Sequence, residues 1–151
     1  MQIVLINDVR YIQNRLWPLI VQLADRLNMP GMTAHSIMSY VLYNPGIEVW
    51  GAIKEDNEPI GFIIFEQLGP PYVSTGYGGF LYMKDKNRKV TDNLIAKFLD
   101  FLKTRQLLYW NFSTHFERLG QHFIKKLKDM EGMTFLNQSY IYQGRRKIGG
   151  A

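Results

Sequence analysis

The chain has 151 residues, 46% of them hydrophobic and 21% charged, the size and make-up of one folded domain rather than a disordered segment. It has no cysteine, which excludes thiol catalysis, thiolate-held zinc, iron–sulfur centres and disulfides. The net charge of +5 is uneven: residues 1–83 sum to −3, whereas residues 84–105 and 115–151 each sum to +4, and a basic region asks for an anionic partner.

Residues 3–6 form a short apolar run expected to be an edge strand, after which Asn7 or Asp8 can cap a helix. Ile12, Leu16, Leu19, Ile20, Leu23 and Leu27 keep helical spacing as far as Asn28, with Pro18 predicting a kink or a start near Trp17. Thr33 opens a second short helix that Asn44-Pro45-Gly46 ends. Residues 49–54 and 60–66 flank the polar turn Glu55-Asp56-Asn57-Glu58-Pro59, the clearest hairpin in the sequence. Residues 77–83 make the fourth strand, and Gly78-Gly79 within it suggests a bulge or a close backbone approach. A basic loop at residues 84–89 precedes a helix expected to be capped by Thr91 or Asp92, with the stripe Leu94, Ile95, Phe98, Leu99 and Leu102. Residues 107–112 read as a fifth strand. Thr114-His115-Phe116-Glu117 has the form of a capping box, opening a helix over residues 116–127. Residues 134–136 and 139–142 are terminal strand candidates.

The order β-α-α-β-β-β-α-β-α-β predicts an α+β (mixed α/β) domain over residues 1–143. Its central mixed sheet is mostly antiparallel with one parallel crossover at residues 77–112, and about four helices flank it. Residues 144–151 read as a basic, glycine-rich tail. Residues 1–7 are too short for a signal-peptide core, and no run reaches the roughly 18 apolar residues of a membrane span. The expected location is therefore cytoplasmic, with no membrane partner.

The hairpin at 49–66, the strand–loop–helix at 79–102 and the strand–helix–strand at 107–142 together resemble the GNAT superfamily of acyl-CoA-dependent N-acyltransferases over nearly the whole chain. The resemblance implies acetyl-CoA as cofactor, lying between the fourth and fifth strands, with Met83 and its neighbours pairing the pantetheine arm. In that family the pyrophosphate loop has the form R/Q-x-x-G-x-G/A, whose glycines let the backbone approach phosphate at a helix N-terminus. One register places the motif on Arg88-Lys89-Val90-Thr91-Asp92-Asn93, another on Lys86-Asn87-Arg88-Lys89-Val90-Thr91, and neither has a glycine. Arg88, Lys89, Val90 and Thr91 are the cofactor-binding candidates in both. Where the family often has a tyrosine as general acid, this chain has Ile124.

Glu66 is expected as the base that deprotonates an acceptor amine, or as an ordinary strand-end carboxylate, and Glu48 carries the same two readings. His115 could be a base at the end of the fifth strand or a capping-box histidine. Three scattered histidines give no metal site. The functional expectation is an N-acyltransferase moving an acetyl group to a small-molecule or protein amine. The alternative is a non-catalytic GNAT-fold protein, for example a bacteriophage virion or assembly component acting through a protein partner or as a homo-oligomer. Nucleic acid is not expected as a partner, because no stacking motif accompanies the charge.

Overall fold

A computed structural model describes residues 1–68, 75–85, 87–107, 109–112, 121–122 and 125–126. Its strands are β1 (Gln2–Leu5), β2 (Ile47–Ile53), β3 (Pro59–Leu68), β4 (Thr75–Met83) and β5 (Tyr109–Phe112). They lie side by side in chain order, antiparallel from β1 to β4, with β4 and β5 parallel. Two adjacent parallel strands need a crossover, and helix α4 (Arg88–Thr104) supplies it. The expected mixed sheet with one parallel pair is thus present.

The central strand explains the layering. Side chains alternate across a strand, so in the run Phe62-Ile63-Ile64-Phe65 two point to each face, and all four are fully buried. A strand buried on both faces reads as a continuous apolar run. Phe62 and Ile64 join Ile12, Leu16, Leu19, Ile20, Leu23, Ile37 and Val41 from the first three helices. Ile63 and Phe65 join Leu81 and the α4 residues Val90, Leu94, Ile95, Phe98, Phe101 and Leu102. The sheet therefore carries one core on each side.

The first helices form α1 (Val9–Tyr11), a π-helical segment (Ile12–Leu16) and α2 (Trp17–Leu27), followed by α3 (Ala34–Tyr43). Asp8 caps α1, its carboxylate accepting from the amides of Arg10 and Tyr11. Pro18 sits in the first turn of α2, where a missing N–H does no harm, and the widened turn just before it stands where a kink was expected. Asn28 closes α2 in the left-handed conformation at φ +45°, its amide returning to Ala24. Thr33 and Ser36 form the capping box of α3. The hairpin tip is tied back to these helices: Tyr11 Oη and Arg15 Nη2 both donate to the Asn57 carbonyl, at 3.0 and 3.3 Å.

Helix α4 begins earlier than the sequence reading placed it. Its N-cap is Asn87, not Thr91 or Asp92, because the Asn87 side chain accepts from the Val90 amide at 3.2 Å. Arg88 and Lys89 are consequently first-turn helical residues rather than members of a basic loop. Toward the C-terminal end, Gln121–His122 and Lys125–Lys126 are helical; His115, Ile124, the expected strands at 134–136 and 139–142 and the tail at 144–151 lie outside the described residues.

Candidate active site

The site is built by an irregularity in β4. Opposite β3 the register runs Gly61↔Met83 and Phe62↔Tyr82, then shifts so that Ile64 faces Gly79. One extra β4 residue is accommodated there, a β-bulge, and Phe80 takes the left-handed conformation at φ +51°. That conformation is unfavourable for a bulky side chain and persists only where the surroundings hold it. The Gly78-Gly79 pair predicted such a bulge; the strained residue is its neighbour. Gly79 lets the Tyr77 ring lie along the strand, since a Cβ there would fall 2.7 Å from the Tyr77 hydroxyl and the ring would have to shift.

The bulge also marks where β4 leaves its parallel partner. Pairing with β5 runs from Thr75↔Tyr109 to Gly78↔Phe112. Beyond it, residues 79–83 have β3 on one side and no strand among the described residues on the other. The Lys84 amide donates to the Ile60 carbonyl at 2.8 Å, so in an antiparallel ladder Tyr82 also bonds toward β3 while Met83 faces the other way. The Met83 amide and carbonyl are thus turned to the side of β4 that no strand among the described residues covers. The Met83 thioether lies over Gly61, where any Cβ would collide with it.

This open edge leads to the start of α4. The amides of Arg88 and Lys89 have no carbonyl to bond within the helix, and both side chains are exposed. Val90 and Thr91 differ: both are buried, the Val90 amide is taken by the Asn87 side chain, and the Thr91 amide and hydroxyl both bond the Asn87 carbonyl. Of the four candidates in this stretch, two therefore offer groups to a ligand and two hold the helix start. Arginine and lysine in a first turn run against the helix dipole, which favours negative charge at that end.

On the α3 face, Glu66 is half-buried opposite Tyr77. Tyr40 Oη donates to Glu66 Oε2 and Asn44 Nδ2 donates to Glu66 Oε1 at 3.2 Å. The Tyr40 and Phe80 rings meet at 5.8 Å. Burial raises the Tyr40 phenol well above its ordinary value, and the hydrogen bond to Glu66 adds to the rise, so Tyr40 keeps its proton as the donor to Glu66 at neutral pH. Glu48 lies on the other face, paired with Arg105 at 3.7 Å, which separates the two carboxylates the sequence had grouped. Tyr40, Asn44 and Tyr77 carried no signal in the sequence: they come from α3 and β4, and only the folded sheet brings them to Glu66.

His122, isolated in sequence, is a partner of α4: its Nε2 lies 2.6 Å from Asp92 Oδ1, and Lys126 Nζ lies 3.2 Å from Asp92 Oδ2. Partial burial pushes the Asp92 carboxyl up, but the bonds to His122 and Lys126 outweigh it and hold the group below its ordinary value. The stabilisation is thus present above the ordinary carboxylate range and lost as pH falls through the lowered one. Asp92→Asn is expected to cost about 1 kcal/mol at neutral pH and low salt, with the difference from wild type shrinking in high salt or strong acid. Denaturant unfolding of both proteins at neutral and acid pH measures it.

No group of three or more potential metal ligands occurs among the described residues. Among them, no helix is long and apolar enough to cross a membrane. No family model matches the sequence, and no curated protein does. Solved structures do match. A ribosomal-protein-alanine N-acetyltransferase from Brucella melitensis biovar Abortus 2308 superposes with TM-score 0.68 at 17% identity, over 95% of this chain and 100% of that one. The chain has the GNAT fold. A putative acetyltransferase from Agrobacterium tumefaciens gives TM-score 0.67 at 11% identity, covering 97% and 100% of the two chains. AAC(6')-Iy, solved in complex with the bisubstrate analog CoA-S-monomethyl-acetylneamine, gives 0.64 at 15% identity, covering 96% and 98%. The GNAT fold accounts for the strand order, the single parallel pair and the helix that joins it.

Proposed function

We propose that the chain is a GNAT-like N-acyltransferase that moves an acetyl group from acetyl-CoA to an amine. The observation that carries this reading is the edge of β4 from the bulge at Phe80 to Met83, which no strand among the described residues pairs with and which ends at the exposed start of α4. The fit is good for an extended amide-bearing arm with a phosphate at its end. Met83 offers an amide and a carbonyl to the arm, as an added strand would use them. The amides of Arg88 and Lys89, with their two cationic side chains, suit the pyrophosphate. When bound, acetyl-CoA supplies an activated thioester whose acyl carbon an amine can attack directly.

The chain's own contribution is mainly positional. The fixed β4 backbone holds the thioester in one orientation, and the acceptor approaches on the α3 face beside the bulge. Its amine gives up a proton to Glu66 or to water before attack. Titration calorimetry of the purified chain with acetyl-CoA tests the reading, with one site and an affinity of micromolar to submillimolar expected. Absence of binding at millimolar acetyl-CoA would overturn it.

A second reading is a non-catalytic GNAT-fold protein that acts through a protein partner. It is favoured by the absence of any glycine from residue 80 to residue 119, which includes the whole β4–α4 junction, and by the Asn87 cap that already uses the Val90 amide. The same calorimetry separates the two.

A further inference from the structure

Glu66 differs from the other paired carboxylates of the molecule. Glu58, Asp92, Asp100 and Glu48 each have a lysine, arginine or histidine partner. Glu66 is half-buried, yet among the described residues its hydrogen-bond partners are a phenol and an amide, both neutral. A partly desolvated anion with no counter-charge among the described residues attracts a cation. An ionised carboxylate has about four acceptor positions, and Tyr40 and Asn44 use two, so two remain to accept from an ammonium.

The surroundings suit the same ligand. Tyr40 and Phe80 are in ring contact at 5.8 Å, and Tyr77 stands directly across the ladder from Glu66 with its ring directed along β4 toward the bulge. Aromatic faces beside a carboxylate favour a cation over a neutral group. The spacing matters too. The Glu66↔Tyr77 pair lies two β3 residues from Ile64↔Gly79, where the bulge begins. At about 3.4 Å per residue that is roughly 7 Å, the reach of a diamine of about four to six carbons.

We propose that Glu66, fixed by Tyr40 and Asn44 and flanked by Tyr77 and Phe80, anchors a second, non-reacting ammonium, so that the acceptor is a diamine or polyamine. The inference rests on the acyltransferase reading for the reaction but not for the cation site itself. The ammonium that reacts lies toward the bulge and loses one proton to water; its nitrogen bonds the acyl carbon, the carbon–sulfur bond breaks, and the nitrogen's next proton passes to the sulfur, so that coenzyme A leaves as the thiol and the product is an amide. Glu66 takes no part in the proton transfer and is an anchor rather than a base.

The test compares 1,5-diaminopentane with pentylamine, equal in length but lacking one charge. With acetyl-CoA, wild type is expected to favour the diamine in kcat/KM by at least about tenfold. Glu66→Gln, which keeps the side-chain shape and an acceptor for Tyr40, is expected to raise KM for the diamine far more than for pentylamine. Equal use of the two amines would overturn the inference. So would a fall in kcat with an altered pH profile at unchanged KM, the signature of a base. Nuclear magnetic resonance titration of 1,5-diaminopentane without acetyl-CoA reads the site directly. Binding by wild type that is weakened in Glu66→Gln, in a chain that transfers no acetyl group, upholds the cation site and overturns the acyltransferase reading. No binding of the diamine by folded wild type overturns the cation site.

Discussion

Phe98→Ala is expected to cost about 3–5 kcal/mol of folding stability, the largest effect of any single truncation considered for this chain. Phe98 is fully buried in α4 and meets Phe65 of β3 at 5.3 Å and Phe101 at 6.4 Å, while Phe65 and Phe101 meet at 5.2 Å. Truncation removes the ring's burial and leaves a cavity between a helix and a sheet that are each held by other contacts, so collapse is incomplete. Against a typical total of about 5–15 kcal/mol, the loss is a large fraction. Phe98→Leu keeps most of the volume and is expected to cost clearly less. Denaturant midpoints of the two variants, at a common slope, measure both; equal midpoints for wild type and Phe98→Ala would contradict the packing described.

Met83→Pro is expected to weaken acetyl-CoA binding about tenfold to a hundredfold while leaving the protein folded. Proline deletes one backbone N–H, and in most strand positions that breaks the ladder. At Met83 the amide faces away from β3, as the bond from Lys84 to Ile60 on the neighbouring pair requires, so no bond to β3 is lost. The cost in stability is limited to backbone adjustment and the Met83–Gly61 contact. The cost in affinity is the amide bond to the ligand together with a ring on the docking edge, about tenfold to a hundredfold. Calorimetry with wild type and variant, beside a melting curve for each, gives both quantities. A folded variant that binds as wild type does would show that the open side of β4 is not the docking edge.

Much of the fold was legible because its signals are local. The continuous apolar run at residues 60–65, the polar hairpin turn and the helical stripes of α2 and α4 each depend on neighbours in sequence, and each element appears in its expected order. The bulge was legible for the same reason, through the two glycines. The start of α4 was not: Asn87, Thr91 and Asp92 are all good cap residues, and a side-chain bond decides among them only once the chain is folded. Glu66 and Glu48 could have been separated by parity, since they fall on opposite faces of adjacent strands; what lies around Glu66 could not. Tyr40 is 26 residues away, and no spacing rule links a helix hydroxyl to a strand carboxylate across a sheet face.

The Asn87 cap has a consequence for any anion that comes to α4. Most helix starts that hold phosphate present a vacant set of amides, kept open by glycine. Here the side chain of Asn87 already fills one place, bonded to the Val90 amide at 3.2 Å. The protein thus carries its own tethered competitor for that amide. A phosphate must either bind beside it, using Arg88 and Lys89, or displace it and lose a cap worth about 1 kcal/mol, roughly a fivefold penalty in affinity. The positive charge gathered in the first turn acts at longer range and offsets that penalty, but it yields to salt in a way that backbone amides do not.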